Sequence, residues 1–106
     1  DADEVFIDAL KDEKNIEVAP LLLNAFWMSN QNPQKHFSFL INYAIITPNY
    51  MSCFECLTIL EAGADLFDTD DVVESVQKLK QQIDANHKHG KILASIKSAI
   101  SEDVIG

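Results

Sequence analysis

The spacing of the apolar residues constrains the fold of this chain more than any other feature. In nearly every segment they recur three and four residues apart, which places their side chains on one face of an α-helix. No stretch shows the sustained alternation of apolar and polar residues that is typical of a half-buried strand. The pattern therefore predicts an all-α protein.

Six helices are predicted, separated by segments rich in turn formers. Asn15 is a plausible cap for the second helix, which carries Pro20 in its first turn. Gly63 is predicted to take a left-handed conformation at the end of the fourth helix, and Asp68 or Thr69 to cap the fifth. The helices cover about 3–12, 15–28, 35–46, 50–62, 70–85 and 91–101. Their inward faces are predicted to include Cys53, Phe54, Leu57 and Leu60 on the fourth helix, and Val72, Val73, Val76, Leu79 and Ile83 on the fifth.

The helices fall into three pairs, at about 3–30, 35–62 and 70–101. Short connections favour antiparallel neighbours, and helical hairpins of this length stack into α-solenoids in which each pair contacts the next. We predict a single domain over residues 1–106, a short right-handed α-solenoid of about three antiparallel hairpins. A compact, unrepeated bundle is the alternative.

Three stretches also carry a family resemblance. They read VAPLLLNAFWMSN, HFSFLINYAIITPNYMSCFECLTILE and DDVVESVQKLKQQI, and lie between about residues 17 and 83. In helix length and apolar placement they resemble a bacterial family of HEAT-like repeats, related to HEAT and armadillo proteins. The resemblance implies a scaffolding or binding role and carries over no catalytic residue. HEAT repeats favour an Arg or Lys in the second helix, whereas this chain contains no arginine.

The charge balance excludes some partners. Eight lysines stand against 17 acidic residues, which gives a formal charge of −9. A nucleic-acid binder needs a basic footprint, and an anionic membrane surface would repel this chain. The longest apolar runs are far shorter than the roughly 20 residues that span a bilayer. The balance instead predicts a basic protein partner, whose rate of association falls as salt rises.

The chain begins at Asp1 without a Met, so we expect a processed product or the C-terminal part of a longer protein. The apolar flank of the first two helices would then be covered by further repeats or by self-association. Two cysteines within one predicted helix are typical of reduced, buried thiols, which indicates the cytoplasm.

No catalytic signature is present. The chain lacks G-x-S-x-G, H-E-x-x-H and a glycine-rich phosphate loop, and it has only three glycines. We therefore predict a protein that is not an enzyme and that carries no cofactor or metal.

Two pairs of potential ligands nevertheless need an interpretation. Cys53 and Cys56 form a C-x-x-C pattern inside an apolar stripe, which favours core thiols over zinc or redox chemistry. His87 and His89, in the sequence NHKHGK, are interpreted as part of a solvated connector that follows the fifth helix. The alternative is a small-molecule or metal site in which all four residues meet.

The acidic run that includes Asp65 does not match a calcium loop. Counted from Asp65, the sixth place holds Asp70 instead of Gly, and the twelfth holds Val76 instead of Glu. Helix capping and the helix dipole account for these carboxylates.

The candidate partner-binding residues are therefore Trp27, Met28, Asp68, Asp70, Asp71 and Glu74. Trp27 either anchors a partner or seals the seam between the first and second hairpins. The predicted function is a non-catalytic interaction or scaffold module whose acidic surface docks a partner. The alternatives are a small-molecule or metal-binding domain and a purely self-associating structural domain.

Overall fold

The computed structural model describes residues 2–28, 36–63 and 67–101, and this part of the chain is helical without strands. It confirms the all-α prediction. The elements are α1 (Ala2–Lys11), a 3₁₀ helix (Glu13–Val18), α2 (Ala19–Met28), α3 (Phe37–Ile46), α4 (Tyr50–Ala62), α5 (Thr69–Asp84) and α6 (Gly90–Ser101). The predicted turn SNQNP, Lys35 and Asp65 lie outside the described residues.

The start of α2 differs from the prediction, and Pro20 gives the physical reason. A proline ring clashes with the carbonyl four residues earlier and supplies no N–H for it, so an α-helix does not continue back past Pro20 to Asn15. The segment before Ala19 forms the 3₁₀ helix instead, and the Asp12 side chain caps it by accepting from the Lys14 amide. The Ile16 carbonyl, which lies four residues before Pro20, accepts from the Asn49 side chain at 2.9 Å.

Side-chain caps define the starts of α4 and α5. Asn49 accepts hydrogen bonds from the amides of Met51 and Ser52, and Asp68 accepts from the amide of Asp70 at 2.9 Å. These bonds satisfy amides that have no partner inside their own helix.

The prediction of a left-handed conformation for Gly63 at the end of α4 is wrong. Gly63 has a φ of −104°. The left-handed residue is Asn86, with a φ of 61°, in the turn after α5. Asn tolerates this conformation better than most side chains because its short polar group forms local hydrogen bonds.

The helices pack in a regular order. Each consecutive pair is in contact, α1 with α2, α3 with α4 and α5 with α6. In addition α2 packs on α4, α4 on α6, and α3 on α5. Phe67 contacts Phe37 near the starts of α5 and α3, with ring centroids 4.4 Å apart, while His87 after α5 contacts Ile45 near the end of α3. The helices α3 and α5 therefore run in the same direction.

Most of the predicted inward residues of α4 and α5 are buried or packed against the core, and two are exposed. On α4 the buried residues are Ser52, Cys53, Cys56, Ile59 and Leu60, and on α5 they are Val72, Ser75 and Leu79. Phe54 is 44% exposed and Val73 is 40% exposed, whereas both were assigned to the core. The neighbouring helices decide which side chains are covered: α2, α3 and α6 pack on α4, and α3 and α6 pack on α5.

The described part of the chain contains no helix that is long and apolar enough to cross a membrane. Its principal extents are 35, 29 and 16 Å.

Candidate functional site

A groove of about 510 Å³ separates α1 and the 3₁₀ helix from the second half of α3. This space stays open between the elements because the helix is interrupted before Pro20. The hydrogen bond from Asn49 to Ile16 holds the 3₁₀ helix against the start of α4. The groove is lined by apolar Leu10, Ile16, Phe39, Tyr43, Ile46 and Pro48 and by polar Lys11, Asp12, Asn42 and Thr47.

The apolar lining is partly open to solvent. Ile46 is 74% exposed and Ile16 is 36% exposed, while Leu10 and Tyr43 are buried below them. Large apolar side chains left in water beside a concave surface are typical of a binding groove. No sequence motif marks this groove, because its residues come from three separate segments of the chain.

Charged residues line the rim of the groove. The Lys11 ammonium lies 6.0 Å from the centroid of the Phe39 ring, and the Lys78 ammonium donates to the Asn42 side chain at 3.0 Å. The carboxylate of Asp12 accepts from the Lys14 amide at 3.0 Å. Of the charged residues that line the groove, Lys11 is basic and Asp12 is acidic.

A second polar arrangement is the histidine junction, formed by His87 and His89 against the end of α3. The Nε2 atom of His87 lies 2.7 Å from the Ile45 carbonyl oxygen, and the Nε2 atom of His89 lies 3.0 Å from the Thr47 carbonyl oxygen. The His89 amide donates to Nδ1 of His87 at 3.0 Å. A carbonyl oxygen only accepts, so both Nε2 atoms carry the proton and donate.

The interpretation of NHKHGK as a solvated connector is therefore wrong for His89, which is 4% exposed. The histidines do meet the negative end of a helix, but it is the end of α3 and not of α5. Their Nε2 atoms are used in these contacts. Among the described residues there is no group of three or more His, Cys, Asp or Glu that could hold a metal ion, so Cys53, Cys56, His87 and His89 do not form a joint site.

The cysteines lie in the core of the described structure. Both Cys53 and Cys56 are fully buried and free. Burial raises the pKa of the Cys53 thiol to about 11. Burial also raises the pKa of the Cys56 thiol, and the negative charges of a Cys53 thiolate and of Glu55 add to the effect. Desolvation favours the neutral thiol, so neither sulfur is an activated nucleophile.

Five of the candidate partner-binding residues from the sequence, Met28, Asp68, Asp70, Asp71 and Glu74, do not line the groove. Asp68, Asp70, Asp71 and Glu74 are all exposed around the first turn of α5, where Asp68 caps the helix. Met28 is 72% exposed at the end of α2. Trp27 belongs to α2, but its side chain lies outside the described part of the structure.

The basic and acidic residues are distributed unevenly along the chain, which the net charge does not show. Five of the eight lysines lie between residues 78 and 97, and Asp84 is the one acidic residue between 75 and 101. The second half of α5 and α6 are therefore basic, while the rest of the chain carries the acidic excess.

No family model, no curated protein and no solved structure matches the chain. Comparison with known proteins therefore assigns no function to these sites.

Proposed function

We propose that this chain is a non-catalytic protein-interaction module, and that the groove between α1, the 3₁₀ helix and α3 binds an amphipathic segment of a partner. The observation that carries the proposal is an apolar groove of about 510 Å³ in which Ile46 stays 74% exposed. Docking would remove this side chain from water, which is the main favourable term in most protein association.

The packing order supports a scaffold of the HEAT-like kind. Helices α2, α4 and α6 pack on one another in sequence, α3 packs on α5 in the same direction, and each hairpin contacts its neighbour. A stack of three helical hairpins has these contacts, and such stacks bind extended or helical segments along one surface. The groove would lie between the first helices of the first two hairpins.

The net charge of the chain, −9, favours a partner with a net positive segment. On α1 and the 3₁₀ helix, Asp8, Asp12 and Glu17 are exposed beside Lys11 and Lys14. Complementary charge steers association and adds salt dependence.

The two reduced core thiols agree with a reducing compartment such as the cytoplasm.

The proposal is tested by capture from source-cell lysate with three tagged baits: wild type, Ile46→Lys and Val73→Lys. Both substitutions place one basic group at an exposed valine or isoleucine, but only Ile46 lines the groove. We expect wild type and Val73→Lys to retain the same stoichiometric partner, and Ile46→Lys to lose it, because the substitution removes an apolar contact and repels a net positive segment. The captured protein is then purified, and its affinity is measured calorimetrically at low and moderate salt.

The expected result is direct binding that weakens as salt rises and an affinity that falls at least about tenfold with Ile46→Lys, a loss of about 1.4 kcal/mol. Equal retention by Ile46→Lys and wild type would place the partner elsewhere on the molecule. Absence of any stoichiometric partner at low salt would contradict the proposed function. Circular dichroism of each bait checks that the helices are intact.

A further inference from the structure

One face of α2 exposes large apolar side chains in a regular pattern. Leu21 and Met28 are each 72% exposed, and Val18, at the end of the 3₁₀ helix, is 43% exposed. They are separated by three and seven residues, so they lie on one side of the helix, with the partly buried Ala25 between them. We call Val18, Leu21 and Met28 the α2 face. None of them lines the groove.

The α2 face lies at the edge of a layer of helices. α2 packs on α4, and α4 packs on α6, while α1 and the 3₁₀ helix cover α2 from another side. A further helix against the α2 face would continue the order α6, α4, α2. An apolar helix flank at the edge of such a layer is typical of a surface that takes up another helix.

The charge of the chain indicates what kind of helix packs on the α2 face. The chain carries −9, so two copies repel each other over most of their surfaces. The ten residues of α2, APLLLNAFWM, contain no charged side chain. On α2 itself, a second copy therefore meets no like charge. A charged partner segment would gain no ion pair on this helix.

The face is also self-complementary. In a two-fold pair of antiparallel α2 helices, residues at equal distances from the symmetry axis face each other. An axis near Ala25 places Leu21 of one copy opposite Met28 of the other, and the small Ala25 side chain allows the helices to approach closely. The spacing of three and four residues between Val18, Leu21, Ala25 and Met28 is that of a coiled-coil seam.

We propose that the chain forms a symmetric dimer in which the α2 faces of two copies pack antiparallel. This association is independent of the proposed partner groove, since the two surfaces share no residue. A dimer would carry two grooves and bind a repetitive partner with higher avidity.

The first test measures the mass of the untagged chain by light scattering and sedimentation from micromolar to millimolar concentration. We expect a rise from 11.9 kDa to about twice that mass. A chain that stays monomeric at millimolar concentration would overturn the proposal.

The second test compares two double variants. In the antiparallel pair, Leu21→Lys with Met28→Glu places opposite charges across both contacts, whereas Leu21→Glu with Met28→Glu places like charges there. Both lose the same apolar side chains. We expect both to associate more weakly than wild type, and the opposite-charge variant to associate about tenfold more tightly than the like-charge variant at low salt. High salt should reduce that difference.

The matched control is the pair Val73→Lys and Val73→Glu. It changes the net charge by the same two units between its members, at an exposed position on α5. These variants should dimerise like wild type. Equal association of the two double variants would exclude antiparallel pairing. Loss of the dimer with Lys80→Glu or Lys91→Glu, and not with the α2 variants, would instead indicate head-to-tail contact between acidic and basic surfaces and overturn the proposal.

Discussion

At the scale of single residues, the two cysteines show how position decides chemistry. A C-x-x-C pattern supports zinc binding or thiol exchange where the sulfurs are accessible and ionised. Here Cys53 and Cys56 are fully buried, and burial raises the pKa of both thiols. Their contribution is to the packing of the core.

We predict that both thiols resist alkylation in the native protein. Iodoacetamide reacts with the thiolate, and the pKa of Cys53 near 11 keeps that form scarce up to about pH 9. Mass spectrometry should show no adduct in the native state and two in guanidinium. A Ser98→Cys variant, with its new thiol on an exposed position of α6, provides the reactive standard. Rapid native labelling of Cys53 and Cys56 would contradict their structural role.

At the scale of elements, the histidine junction joins the turn after α5 to the end of α3. It links residues 42 apart in the chain through two hydrogen bonds. Carbonyls at the end of a helix have no partner within that helix, so an imidazole N–H donated from another element replaces water there. The ring of His89 also packs on Tyr50 of α4, at a centroid distance of 6.1 Å.

We predict that His89→Ala destabilises the fold by about 2–3 kcal/mol, because it removes a donor from a buried carbonyl and leaves unfilled space. Urea denaturation followed by circular dichroism measures this change. Lys88→Ala is the control, since Lys88 is exposed between the two histidines and should change stability by no more than about 0.5 kcal/mol. Equal effects of the two substitutions would show that the junction contributes nothing to stability.

At the scale of the whole molecule, the packing is uneven from one end to the other. Helix α4 contacts α2, α3 and α6 and buries five side chains, whereas α1 packs on α2 and the 3₁₀ helix. Leu10 is the buried residue among those of α1 whose side chains are described. Where each helix is stabilised mainly by the helices next to it, the helix with fewer packing contacts unfolds locally at a lower free energy.

We predict that amide hydrogen exchange is fastest in α1 and slowest in α4. The difference should reach at least about a hundredfold, which corresponds to about 2.8 kcal/mol between local and global opening. Exchange followed by mass spectrometry below the concentration at which copies associate gives the comparison. Equal protection of α1 and α4 would indicate that the molecule opens as a single unit.

The outcomes at α2 and α4 show which parts of the fold were predictable. The bounds of α4 and the Asp68 cap follow from local signals, and the structure confirms both. The start of α2 was misplaced because the cap signal at Asn15 was given more weight than the clash that Pro20 imposes. The groove was not predictable, because it depends on where the end of α1 and the 3₁₀ helix lie relative to α3.

The sequence by itself determined the helical class, most helix ends and the separation of acidic and basic segments. These properties depend on periodicity, caps and composition, which act over a few residues. Only the tertiary structure decided that His89 is buried, that Phe54 and Val73 are exposed, and that Ile16 and Ile46 line one groove. The burial of His89 and the groove involve contacts between residues far apart in the chain: His89 lies 42 residues from Thr47, and Asn49 lies 33 residues from Ile16. The burial of a side chain is a property of its neighbours, and a local pattern does not name them.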